Sequence, residues 1–130
     1  MVPGTTQNGW SDCVNDTRWN YDYNGFYTSQ LPTYVRAIQA GLAIVTYSGT
    51  ADTVVPYLGT SRWVFNLMNG TTPTEPWHAW TTPEHPHQAA GFTVEWGKFR
   101  FITIRNAGHL VPQKSPEQAL VILQMLLGSS

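Results

Sequence analysis

The pattern of apolar and polar residues changes once along the chain, near residue 30. Residues 1–30 are polar and aromatic and keep neither a period of 2 nor a period of 3.6, which predicts an irregular leader. From residue 31 the apolar positions follow regular periods, so residues 31–130 are expected to form the structured domain. Its first element is a short helix from Pro32 to about Ala40, with Gly41 as its stop.

Strand and helix patterns then alternate. The run Leu42–Tyr47 is continuously apolar and of strand length, which favours a strand buried on both faces of a parallel sheet. Apolar residues at helical spacing predict a helix over Tyr57–Met68. A strand followed by a loop and a helix is typical of α/β folds.

The second half predicts three further strands. One lies around residues 77–81, and the other two, Gly91–Trp96 and Phe99–Arg105, alternate well and are joined by a hairpin turn at Gly97. Because three or four strands make only part of a doubly wound sheet, at least one sheet edge is expected to be open.

The chain ends with a predicted loop and a helix. Residues 106–113 are expected to be a loop, after which Ser115 would cap a helix and Gln118 would complete a capping box. The helix is expected to bury an apolar stripe of Ala119, Leu120, Ile122, Leu123, Leu126 and Leu127.

The amino-acid composition of the chain limits the kinds of partner that it is expected to bind. Hydrophobic residues make up 42% of the chain and charged residues 12%, and the net charge is −1. A chain without a basic stripe is not expected to bind nucleic acid, and no apolar run approaches the ~20 residues of a membrane span. The first nine residues lack the pattern of a signal peptide, so the chain is cytosolic or its targeting segment lies elsewhere.

Two glycosylation sequons, at Asn15 and Asn69, favour a secreted or lysosomal protein. Cys13 is the single cysteine, which indicates either a disulfide to another segment or a small buried thiol.

Two polar side chains follow predicted strands and are candidates for chemistry. Asp52 comes after the strand that begins at Leu42, and His109 comes after the strand that begins at Phe99. Ligands of open α/β sheets bind at the carboxyl ends of strands, and acid before base is the chain order of the α/β-hydrolase triad. Taken singly, Asp52 has a second interpretation as a turn aspartate, and His109 as a surface histidine.

A metal site is a weaker candidate. His85 and His87 flank Pro86 and are accompanied by His78, but no cysteine or paired carboxylate lies nearby in sequence. These three histidines are therefore not expected to hold a metal ion.

The local sequences around both candidates resemble the C-terminal third of serine carboxypeptidases, over about residues 30–127. The most specific stretches are Ser-Gly-Thr-Ala-Asp-Thr-Val-Val-Pro at residues 48–56 and Ala-Gly-His-Leu-Val-Pro at residues 107–112. Further agreement comes from Tyr47, Trp77, Gln88, Gly91, Phe92, Pro116, Ala119 and Leu120. Residues 10–13 are similar to the family's Trp-x-x-Cys region.

This resemblance implies the C-terminal part of an α/β-hydrolase fold, an incomplete mostly parallel sheet flanked by helices. It also implies that Asp52 is the triad acid, that His109 is the triad base, and that Leu110 lines the pocket for the last side chain of the substrate. Cys13 would form a disulfide to a further segment, N-terminal to this one. The implied location is the secretory pathway, with the lysosome, vacuole or extracellular space as destination.

The chain departs from the family in lacking the Gly-x-Ser-x-Gly elbow that carries the nucleophile. Neither Ser48 nor Ser61 has glycines at both flanking positions, so the serine is expected on an N-terminal segment or chain and the isolated chain is expected to be inactive. The resemblance implies neither a cofactor nor a metal. Thr50 also differs from the acidic or amide residue that the family often has there.

The expected activity of the complete protein is release of C-terminal residues from peptides. The alternatives are acyl transfer, cyanohydrin cleavage as in hydroxynitrile lyases, and a non-catalytic fragment or binding module that keeps Asp52 and His109.

Overall fold

The computed structural model describes residues 28–128, and a compact unit begins at Leu31. Its helices are α1 (Leu31–Gln39), α2 (Tyr57–Leu67), α3 (Val111–Lys114) and α4 (Pro116–Leu127). Its strands are β1 (Ile44–Gly49), β2 (Glu75–Trp80), β3 (Gly91–Trp96) and β4 (Phe99–Ile104). Nearly all of the predicted irregular leader, with Trp10, Cys13 and Asn15, lies outside the described residues.

The four strands form one mixed sheet in the order β1-β4-β3-β2. β1 and β4 are parallel, with Ile44 opposite Phe99 and Gly49 opposite Ile104. β3 is antiparallel to β4 and to β2, and the predicted hairpin turn is present at Gly97, which has a φ of 62°. The parallel pair therefore brings together two strand ends that are far apart in the sequence.

Helices cover both faces of the sheet, as expected for an α/β fold. β4 supplies buried side chains to both sides because successive residues of a strand point to opposite faces. Phe99 and Phe101 pack with Val64 of α2, whereas Ile102 and Ile104 pack with Ile122 of α4. The centre of the domain is thus the strand that leads to His109.

Two expectations about burial are wrong for this chain. β1 is not buried on both faces, since Tyr47 is 46% exposed. The outer edge of β1 also pairs with no described strand. In α4 only Ile122 is buried, whereas Leu120, Leu123, Leu126 and Leu127 are exposed. Leucines of α4 and residues of β1 instead line an open apolar groove of about 370 Å³.

The two edges of the sheet differ in character. β2 carries Glu75 and Pro76 and shifts register between Glu75 and His78, which are features that discourage further strand pairing. β1, with the sequence Ile-Val-Thr-Tyr-Ser-Gly, has no charge and no proline. Within the described part of the chain, only the β2 edge therefore carries features that protect it against another strand.

Local boundaries also differ from the sequence predictions. Val111–Lys114 is a short helix where a loop was expected, and Val111 is buried against the sheet. Ser115 precedes α4, but its side chain makes no capping hydrogen bond. Its N–H, from which Gln118 would accept in a capping box, donates instead to the Val111 carbonyl at the end of α3. The predicted capping box is therefore wrong.

The tryptophans of the hairpin layer divide between core and surface. Trp80 and Trp96 are buried, while Trp77 is 43% exposed. In the described part of the chain, no helix combines the length and apolar character needed to cross a membrane.

We predict that Gly91→Ala destabilises the 130-residue protein by about 1–3 kcal/mol. A Cβ at this position would collide with the backbone carbonyl of Thr103 and lie 2.9 Å from Nε1 of Trp80, which donates to the same carbonyl. Urea unfolding monitored by circular dichroism measures the change.

The matched control is Gly59→Ala in α2, where a Cβ would meet no atom within 4 Å. Alanine is the better helix former there, so this variant should gain about 0.5–1 kcal/mol. Equal unfolding midpoints for the two variants would contradict the tight approach of β3 and β4 at Gly91.

Candidate active site

Asp52 is held by a turn that directly follows β1. Its Oδ1 atom accepts hydrogen bonds from the backbone N–H groups of Val54 at 2.8 Å and Val55 at 3.0 Å. This is the pattern of an aspartate turn, and the carboxylate is only 7% exposed. The interpretation of Asp52 as a turn aspartate is therefore correct, and the turn fixes the orientation of the carboxylate.

The second carboxylate oxygen faces His109. Oδ2 of Asp52 lies 3.0 Å from Nδ1 of His109, across 57 residues of sequence. A carboxylate only accepts, so Nδ1 carries the hydrogen and donates it. In the neutral ring Nε2 then has a free lone pair, and half of the His109 side chain is exposed. The imidazole is thus oriented by the acid and available as a base.

The hydrogen bond from His109 is the largest cause that holds the pKa of Asp52 below its ordinary value of 3.8. The N–H groups of Val55 and Val54 and the charge of His109 act in the same direction, while burial opposes them. Asp52 is therefore ionised at neutral pH and can stabilise a protonated imidazole.

The two loops that carry these residues are in backbone contact. Gly49 lies so close to the second loop that a Cβ there would collide with the carbonyl of Ala107 and stand 2.7 Å from that of Gly108. The N–H of Ala51 donates to the Ala107 carbonyl at 2.9 Å. Only glycine at position 49 permits this approach, which brings Asp52 within reach of His109.

Sequence reasoning did not identify the side-chain link between the same loops. The hydroxyl of Thr50 accepts a hydrogen bond from the backbone N–H of Asn106 at 2.9 Å. Asn106 has a left-handed φ of 57°, a conformation that asparagine tolerates better than most residues. In the sequence, Thr50 is notable only because it differs from the residue that the family often has at this position. The one indication of the turn is an asparagine directly after a predicted strand.

The remaining predicted site residues are not part of this cluster. Leu110 follows His109, is 57% exposed and precedes α3. Asn69 is exposed in the turn after α2. Asn15 and Cys13 lie outside the described residues, so their glycosylation and disulfide stay predictions.

Neither Ser48 nor Ser61 is placed as an elbow nucleophile. The Ser61 hydroxyl donates to the Leu58 carbonyl within α2 at 3.0 Å, and Ser48 is buried in β1. Among residues 28–128, no three side chains of histidine, cysteine, aspartate or glutamate are grouped to hold a metal ion.

Comparison with known proteins identifies the family. The family model for serine carboxypeptidase matches residues 1–129. Serine carboxypeptidase-like 33 of Arabidopsis thaliana is 39% identical over 95% of this chain, and serine carboxypeptidase-like 22 of the same plant is 33% identical over 93%. P-(S)-hydroxymandelonitrile lyase of Sorghum bicolor is 31% identical over 97% of this chain.

The match covers 25%, 25% and 24% of these three relatives, so the chain spans about a quarter of the length of the curated relatives it matches. The layered sheet accordingly represents the C-terminal part of an α/β-hydrolase fold, as the sequence predicts. The expectation of a mostly parallel sheet is wrong for the described residues, where β1 and β4 pair in parallel and the other two strand pairs are antiparallel. With the family match over nearly its whole length, the chain belongs to the serine carboxypeptidase family.

Proposed function

We propose that this chain supplies the acid and the base of a serine carboxypeptidase that releases C-terminal residues from peptides. The observation that carries the proposal is the hydrogen bond between His109 Nδ1 and Asp52 Oδ2, at the carboxyl ends of two parallel strands. The nucleophilic serine belongs to a segment N-terminal to these 130 residues, on the same or another polypeptide.

The proposed reaction uses Nε2 of His109 twice. The serine hydroxyl attacks the last peptide carbonyl and its proton passes to Nε2, while Asp52 stabilises the imidazolium. The C–N bond then breaks, the leaving amine takes the proton, and an acyl-serine ester remains. Water attacks this ester with His109 again as base, which releases the shortened peptide and restores the serine hydroxyl.

The exposed apolar surface supports a partner segment. β1 has an unprotected edge, and exposed leucines of α4 line the groove beside it. Each large aliphatic side chain that leaves water stabilises an association by about 1.5–3 kcal/mol. We propose that a strand and a helix of the serine-bearing segment cover this edge and groove, which would give β1 and α4 the burial that their sequences predict.

The same proposal places the protein in the secretory pathway. Exposure of Asn69 is compatible with glycosylation, and Cys13 would bridge to the serine-bearing segment. Intact mass of the native protein, before and after reduction and glycosidase treatment, tests both modifications.

Cyanohydrin cleavage is a second candidate, because one relative named as a hydroxymandelonitrile lyase is 31% identical. The same base would take the proton of a cyanohydrin hydroxyl as cyanide leaves. Parallel assays of the complete enzyme with a blocked dipeptide and with an aromatic cyanohydrin separate the two activities.

We predict that His109→Ala lowers kcat by several orders of magnitude and that Asp52→Asn lowers it by ~10⁴ in the complete enzyme, meaning this chain joined to the serine-bearing segment. Because both residues serve one proton transfer, the double variant should be little worse than either single variant. Hydrolysis of a blocked dipeptide measures the cycle.

The control is His87→Ala, an exposed histidine in the loop between β2 and β3 that should leave kcat unchanged. A fluorophosphonate probe should label the complete enzyme and not the 130-residue chain. Additive losses from the two substitutions, or labelling of a serine in this chain, would refute the proposed division of the triad.

We predict that Leu110→Glu shifts the preference of the complete enzyme from apolar toward basic C-terminal residues. Contact with an apolar substrate side chain is worth about 1.5–3 kcal/mol, which the charged variant would lose. Leu42→Glu is the matched control, since Leu42 is 56% exposed and lies before β1, away from the loop of His109. An unchanged ratio of kcat/KM values for the two substrate types would remove Leu110 from the pocket.

We predict that Asp52 makes the stability of the 130-residue protein fall in acid. The folded protein holds the Asp52 pKa below 3.8, so the ionised carboxylate contributes stability above that pH and loses it as the pH falls through the folded value. The stability advantage over Asp52→Asn should therefore be full at pH 6 and shrink below about pH 3.8.

Urea unfolding between pH 6 and pH 2.5 measures this difference. In His109→Ala the largest cause of the lowered pKa is gone, so carbon NMR of the Asp52 carboxyl should show its pKa rising toward 3.8. A stability difference that is independent of pH would contradict the stabilising role of the ionised carboxylate.

A further inference from the structure

Three hydrogen bonds join the loop after β1 to the last residue of β4 and the segment that follows it. The N–H of Thr50 donates to the Ile104 carbonyl at 2.9 Å, and the N–H of Ala51 donates to the Ala107 carbonyl at 2.9 Å. The third runs in the opposite direction, from the N–H of Asn106 to the hydroxyl of Thr50, also at 2.9 Å. The first two use backbone atoms that any residue possesses, whereas the third depends on the side chain at position 50.

The turn at Asn106 needs this acceptor. β4 ends at Ile104, and Asn106 then adopts a φ of 57°, which is unfavourable for a residue with a Cβ. A left-handed residue keeps its place only where its surroundings determine it. The next N–H, that of Ala107, makes only a long hydrogen bond of 3.4 Å back to Ile104. The Thr50 hydroxyl is therefore the strong contact that holds the N–H of Asn106.

The hydrogen bond between Asn106 and Thr50 lies close in sequence to both the acid and the base, so it can affect how they are positioned. Thr50 stands two residues before Asp52, and Asn106 stands three residues before His109. The aspartate turn fixes Asp52 on one side, and burial of Val111 anchors the chain beyond His109 on the other. Within residues 28–128 the other side-chain hydrogen bond that connects the two loops is the one between His109 and Asp52.

We infer that Thr50 is a positioning residue that holds the Asn106 turn so that Nδ1 of His109 reaches Asp52. The hydroxyl accepts the Asn106 N–H without adding charge beside the acid. A carboxylate at position 50 would offer the same acceptor but would place a second negative charge two residues from Asp52. The hydrogen bond of the Thr50 hydroxyl goes to Asn106, so Thr50 acts through the loop that carries the base.

Thr50→Val tests this inference, because valine keeps the branched shape and removes the acceptor. Carbon NMR of the Asp52 carboxyl in the 130-residue protein is the first readout, since the hydrogen bond from His109 is the largest cause of its lowered pKa. We expect the pKa of Asp52 to rise toward 3.8 in Thr50→Val. We expect Thr50→Ser, which restores the hydroxyl, to return it to the parent value.

Thr53→Val is the matched control, as it makes the same change at an exposed position of the same loop and should leave the Asp52 titration unchanged. Thr50→Ala is a second variant that removes the acceptor without the bulk of valine, should Thr50→Val not fold. A folded Thr50→Val or Thr50→Ala protein in which Asp52 titrates as in the parent would overturn the inference.

The kinetic readout rests on the proposed function and is made on the complete enzyme. A displaced base should lower kcat by about tenfold to a hundredfold, with KM close to the parent value, and Thr50→Ser should recover the rate. A lower kcat without a change in the Asp52 titration would also overturn the inference, because the effect would not pass through the acid and base. A changed titration with an unchanged kcat would support the positioning role and count against the proposed function.

Discussion

Parallel pairing of β1 with β4 is the constraint on which the site depends. The six paired positions from Ile44 and Phe99 to Gly49 and Ile104 align the carboxyl ends of two strands that are separated in sequence by α2, β2 and β3. Parallel strands end at the same edge of a sheet, so the loops that follow them meet there. A shift of one residue in this register would turn the side chains of β1 to the opposite face and separate Asp52 from His109.

The loops add a second level of order that the strands alone do not provide. Gly49 allows the backbones to approach, the aspartate turn aims the carboxylate, and Thr50 holds the chain where it turns left-handed at Asn106. The contacts of Gly49 and Thr50 involve backbone atoms of the neighbouring loop, whereas the aspartate turn uses backbone N–H groups of its own loop. The imidazole is consequently oriented by a framework of short local contacts rather than by deep burial, and half of it stays accessible to a substrate.

Much of this arrangement was predictable from the sequence, and the failures have a common physical origin. Periodicity locates the strands and main helices within a few residues, and the positions of Asp52 and His109, each after a predicted strand, indicate that they meet. The Thr50 link was not predictable in this way, because it depends on the φ of Asn106 and on the register of the two loops. The burial of Leu120 and Tyr47 is predicted wrongly, because an apolar pattern indicates that a side chain is covered but does not indicate which segment covers it.

The unprotected edge of β1 also has a consequence for the protein before any chemistry takes place. Among residues 28–128 no strand pairs with the outer edge of β1, and an apolar edge of this kind is a template for further strands, including those of other copies of the same chain. Aggregation of such a chain rises with its concentration, whereas a strand already covered takes no part in it. If the proposed serine-bearing segment pairs with β1, it would also act as a solubility partner during synthesis, and the order in which the two parts are made and meet would affect the yield of folded protein.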